Sequence, residues 1–88
     1  MKLVFLFNDD SVLHIDNVES YRDVGRDYEV RYKVPERDDI PRIRYISKVG
    51  TEYASGHVAH PALVKIIITG VKHELDRCIE VNGRNHIV

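Results

Sequence analysis

The chain holds one cysteine, Cys78, and no tryptophan in its 88 residues. A lone thiol excludes an internal disulfide, and no Cys-x-x-Cys zinc or redox motif can form. This usage fits a reducing cytosol, so a cytoplasmic location is expected. Long apolar runs are missing too. The N-terminal run Leu3–Phe7 is too short for a signal-peptide core or a membrane span. Without a basic amphipathic helix or a lipidation motif, membrane association is not expected. Charge of one sign is also lacking: the net charge is −1, which predicts neither nucleic acid nor membrane as a bulk partner. No internal repeat or low-complexity segment is present.

What is there is an ordinary globular composition, 43% hydrophobic and 31% charged, which argues against disorder. Residues 1–88 are expected to form a single domain, near the size at which one core is only just sufficient. The longest nearly uncharged apolar segment is Ala62–Val71, with Ile66, Ile67 and Ile68 in succession. Branched apolar residues on both faces of a strand imply burial on both faces, so this segment is predicted to be the central strand. Two layers are then needed, supplied by the hairpins that precede it.

Lys2–Phe7 and Val12–Ile15 flank Asn8-Asp9-Asp10-Ser11, a turn-favouring set. The predicted hairpin pairs Phe7 with Val12 and Val4 with Ile15, which places Val4, Leu6, Leu13 and Ile15 on the core face. Leu3, Phe5, Phe7 and Val12 fall on the other face: either a second sheet covers them, or they form a self-association surface. Asp16–Tyr21 continues or bends the second strand, and Gly25 supplies a positive φ in the turn after it. Tyr28–Val34 alternates apolar and charged residues, the period of a half-buried strand. Pro35–Pro41 is predicted to be a connector. Arg42–Val49 follows as a strand that groups Ile43, Tyr45, Ser47 and Val49 against Arg42, Arg44, Ile46 and Lys48. Gly50–Pro61 has no sustained period and reads as a long loop, of the kind that often carries function. Over 71–81 a short helix is one reading. A hairpin is preferred, because no N-cap marks a helix start and Asn82-Gly83 suits a two-residue turn into a last strand. The expected fold class is all-β: a small antiparallel sandwich or open barrel of seven to eight short strands.

The chemistry-bearing residues assemble no recognisable catalytic constellation, so no enzyme activity and no cofactor are expected. His57-x-x-His60 is one pair where a structural zinc site needs four ligands, so no metal is expected. Cys78 lies in an apolar-periodic segment and reads as an inert thiol. Arg42, Arg44 and Lys48 share a strand face, but Tyr28, Tyr32 and Tyr45 are expected on the opposite one. Aromatic and basic residues would then not be interleaved, so nucleic-acid binding is not expected. Residues 1–40 carry six Lys/Arg against ten Asp/Glu, and residues 41–88 seven against four. This asymmetry offers an acidic end to a basic protein partner. The expected contact residues are Asp9, Asp10, Asp38 and Asp39 with Glu52, Tyr53, His57 and His60 of the long loop.

The segment Phe7–Tyr21, FNDDSVLHIDNVESY, resembles short phage or prophage proteins of Gram-positive bacteria that begin with a β-hairpin. The resemblance covers about a fifth of the chain and brings no site residues. It implies an accessory role, as a host-directed inhibitor or modulator or as a virion component. The leading expectation is therefore a non-enzymatic protein-binding module. A self-associating structural module and a small nucleic-acid-binding barrel are the alternatives.

Overall fold

Strands form wherever branched and aromatic residues recur at period two. A computed structural model describes residues 1–52 and 54–81. It contains β1 (Lys2–Phe7), β2 (Val12–Ile15), β3 (Val18–Asp23), β4 (Asp27–Val34), β5 (Arg37–Ser47), β6 (Thr51–Glu52), β7 (Val58–His60), β8 (Leu63–Thr69) and β9 (Arg77–Glu80). One sheet has the order β2-β1-β8-β9, a second the order β3-β4-β5, and β6 and β7 form a two-stranded ribbon. All pairings are antiparallel. The all-β sandwich or open barrel is the observed class, with no helix among the described residues.

The first hairpin is slipped by one residue from the predicted register: Leu3 faces Ile15 and Phe5 faces Leu13. Because side chains alternate across a strand, a one-residue slip changes which cross-strand set faces inward. Leu3 and Phe5 are fully buried in the core together with Ile15, Ile66, Ile68 and Val30. Val4 and Leu6, predicted to be core, are only half-buried on the other face. The cause lies at the turn. Phe7 N–H donates to Ser11 O and Asp10 N–H to Phe7 O, so Phe7 and Ser11 close the loop, with Asp10 at φ 70°.

The isoleucine strand β8 lies inside the first sheet, between β1 and β9. Ile66 and Ile68 are buried, whereas Ile67 is half-buried and Val64 is exposed. Burial on both faces is therefore not realised. The second sheet covers one face of β8, and neighbouring strands shield its edges. Asn17, at φ 54°, carries the chain from one sheet to the other, between β2 and β3. Asparagine tolerates this left-handed backbone better than a branched residue does. The sheets are laced by the backbone bonds Val18 N–H to Met1 O (2.8 Å) and Leu63 N–H to Lys48 O (3.1 Å).

Two further expectations are corrected, and one choice between alternatives is decided. The predicted connector Pro35–Pro41 is a tight turn at Pro35-Glu36, and β5 already begins at Arg37. Pro41 fits in β5 because that strand is at an edge of its sheet, where a missing N–H need not break a ladder. The loop Gly50–Pro61 contains the β6–β7 ribbon. In the 71–81 segment the strand reading holds and the helix does not: Glu74 N–H bonds to Val71 O in a turn with His73 at φ 64°, and β9 follows. Residues 82–88, on which the expected Asn82-Gly83 turn and last strand fall, lie outside the described residues.

Candidate functional site

Residues directly opposite in an antiparallel pair share a face, and this fixes what β5 presents. Glu29 faces Tyr45 and Arg31 faces Ile43, while Val30 faces Arg44 and Tyr28 faces Ile46. Val30, Tyr28 and Ile46 are buried, so Arg42, Arg44, Ile46 and Lys48 lie on the inward side. Ile43 and Tyr45 lie outward, 47% and 57% exposed. This is the reverse of the predicted β5 facing. It is tolerated because β5 is the strand at which the sandwich opens. Lys48 is satisfied at its end of the inward face: Nζ donates to Asp23 Oδ1 at 2.6 Å and sits 4.9 Å from the Tyr28 ring centroid. That bond from Lys48, helped by the Gly25 N–H, lowers the Asp23 pKa.

The outer face of the second sheet is ordered by one carboxylate. Glu29 accepts from Arg22 Nε at 2.8 Å and from the Tyr45 hydroxyl at 2.9 Å. The Arg22 bond first, and the Tyr45 bond second, hold the Glu29 pKa below its usual value. The same bond to Glu29 raises the Tyr45 pKa. Tyr45 therefore stands pre-positioned beside Arg22, with Ile43 next to it across from Arg31. Tyr45 lies on the face opposite to that of Arg42, Arg44 and Lys48, as predicted, but Tyr28 and Tyr32 share the face of those residues. Tyr45 itself is interleaved with Arg22 and Arg31, so the predicted separation of aromatic and basic residues does not hold.

On its inward side β5 borders a groove of ≈ 300 Å³, with Arg44 and Ile46 on one wall and Phe7, Val12 and Leu13 on the other. His60 also lines it, edge-on to the Phe7 ring at 5.9 Å and 87°. The His60 Nδ1 is buried without a hydrogen-bond partner among the described residues. The groove is positioned by Asn8: its N–H donates to Ala62 O at 2.9 Å, and its Oδ1 accepts from Ala62 N–H at 3.1 Å. The β1–β2 turn is thereby tied to the segment that follows His60.

The predicted site residues are dispersed. Asp9 is occupied within its own turn, accepting from Ser11 N–H and Oγ, and these bonds lower its pKa, with a small contribution from His60. Asp10 occupies the left-handed turn position. Asp38 belongs to β5 and Glu52 to β6. Asp39 lies 3.9 Å from Arg37 Nε in an exposed pair. Tyr53 lies outside the described residues. His57 turns to Ser55 Oγ at 3.1 Å and His60 to Phe7, and no cluster of three or more potential metal ligands occurs among the described residues. Of the proposed self-association face, Leu3 and Phe5 are core, Phe7 packs against the core, and Val12 alone is largely exposed. Cys78 is exposed on β9, not buried as its neighbours suggested.

Sequence reasoning missed β5 as an edge strand that presents Arg42 and Arg44 on one face and Ile43 and Tyr45 on the other. The available signal was Pro41: a proline next to an alternating strand marks an edge, and edges are where arginines can face inward. Compared with known protein families, curated proteins and solved structures, the chain finds no match in any of the three.

Proposed function

We infer that this chain is a non-enzymatic protein-binding module that engages its partner through β5. One observation carries the reading: a long edge strand presents exposed Ile43 and Tyr45 on one face and borders a groove of mixed polarity on the other. Apolar and aromatic side chains held in fixed positions are what protein interfaces use as anchors. Tyr45 suits this role, because its bond to Glu29 lowers the entropy lost when a partner packs on it. The originally expected acidic residues fit less well, since Asp9 and Asp39 already have local partners. A role against a host protein follows from the resemblance of the first hairpin.

The test is affinity capture from a bacterial lysate, with and without nuclease, using wild type and an Ile43→Ser/Tyr45→Ala variant side by side. Both substitutions are at exposed positions, and circular dichroism checks that the fold is retained. The expected result is a nuclease-resistant protein captured by wild type and lost with the variant. Capture that vanishes with nuclease points to nucleic acid, and capture that ignores the variant removes β5 from the account.

A further inference from the structure

We propose that the occupant of the β5 edge is an extended acidic peptide segment of another protein, added to the second sheet as its fourth strand. This rests on the reading of β5 as the binding element and specifies its partner. β5 pairs with β4 on one side, and no described strand pairs with the other. An edge strand offers main-chain donors and acceptors that a peptide in extended conformation can take up.

Charge selects the kind of peptide. Lys2, Arg22, Lys33, Arg37, Lys48 and Lys65 each lie within 4.0 Å of a carboxylate. Arg42 and Arg44, both exposed, have no such partner among the described residues. Arg26, Arg31, Lys72 and Arg77 lack one too, but only Arg42 and Arg44 stand on the edge strand β5. The segment Arg42–Ser47, RIRYIS, contains two arginines and no acid. A second copy laid along it would gather four arginines in one short ribbon, and facing like charges destabilise a strand pair. Acidic side chains at alternate positions of a peptide relieve that charge. The intervening side chains then lie on the outer face, beside exposed Ile43 and Tyr45. Recognition would combine main-chain pairing, carboxylates on Arg42 and Arg44, and one apolar anchor.

The experiment is fluorescence anisotropy of the full chain with a fluorescein-labelled octapeptide that alternates glutamate and valine. Its controls are the lysine–valine counterpart and two glutamate peptides N-methylated on alternate main-chain nitrogens. The glutamate peptide is expected to bind and the lysine peptide not to. N-methylation of one alternating set should abolish binding and of the other set leave it, since a strand pairs with its neighbour through alternate residues. Arg42→Gln/Arg44→Gln should weaken binding on the order of tenfold, from two exposed ion pairs of up to about 1 kcal/mol each. The proposal is overturned if the lysine peptide binds equally, if both methylated peptides bind, or if the arginine variant binds unchanged. It is also overturned if sedimentation shows a dimer that Ile43→Ser/Tyr45→Ala dissociates, since a second copy would then occupy β5. Absence of peptide binding together with lysate capture that still depends on Ile43 and Tyr45 overturns the acidic-peptide occupant alone. Loss of that dependence overturns the binding-module reading itself.

Discussion

Replacing Ile66 or Ile67 by alanine should separate two residues that the sequence presents as equivalents. Ile66 is fully buried and Ile67 half-buried, because in β8 they point to opposite faces of the sheet. Alanine removes three carbons from isoleucine, about 2.4 kcal/mol of transfer free energy at about 0.8 kcal/mol per methylene. At Ile66 a cavity term adds to this, and the expected cost is about 3–4 kcal/mol. At Ile67 the side chain is already partly in water and its neighbours can relax, so about 1 kcal/mol is expected. A domain of this size has a total stability of roughly 4–13 kcal/mol, so Ile66→Ala should remove a large share of it. Urea unfolding followed by far-UV circular dichroism reads the difference. With a slope of about 1–1.5 kcal/mol per molar, the midpoint should fall by about 2–4 M for Ile66→Ala and by about 1 M or less for Ile67→Ala. Equal shifts, or a larger one for Ile67→Ala, would show that both faces of β8 are packed and would refute the layer assignment.

Phe5→Ala should cost about 3–5 kcal/mol in the same assay and Leu6→Ala distinctly less, reporting the register of the first hairpin. Gly50→Ala should destabilise by about 1–3 kcal/mol, because a Cβ there would lie 3.0 Å from Ala62 N and 3.2 Å from His60 O. Asn8→Ala leaves Ala62 N–H without its side-chain acceptor and should cost about 0.5–1.5 kcal/mol in thermal or urea unfolding. Glu29, Asp23 and Asp9 all have lowered pKa values, chiefly through bonds to Arg22, Lys48 and Ser11 respectively. Their stabilisation is present above the ordinary carboxylate range of about 3.9–4.3 and is lost as pH falls through the lowered values. Acid unfolding curves should show this, and Glu29→Gln should flatten the acid limb.

Much of the fold was legible because it is written in local alternation. Tyr28 and Val30 against Glu29 and Arg31 phase β4 without ambiguity, and the turn at Gly25 (φ +99°) is where the sequence puts it. The register of β1 on β2 was not legible, since both faces of KLVFLF are apolar and only the turn geometry chooses between them. The facing of β5 was lost for a related reason. Ile43 and Tyr45 outnumber Ile46 as apolar residues, yet Ile46 is the one packed beneath Tyr28, at 4% exposure. What decides is the position of β5 at the mouth of the sandwich, where Arg44 can face inward and still reach water. The candidate site was missed with it. The sequence draws attention to acidic turn residues, but their turns already use some of those carboxylates, while two arginines with no carboxylate partner among the described residues stand on the edge strand.

The central claim is that binding occurs along β5. Amide chemical-shift mapping of the isotopically labelled chain during titration with the alternating glutamate–valine peptide tests it most directly. The account predicts shifts concentrated at Arg42–Ser47 and at Phe7, Leu13 and His60 across the groove, with β9 unaffected. Shifts centred on Val4, Ile67 and Cys78, on the opposite sheet, would contradict it.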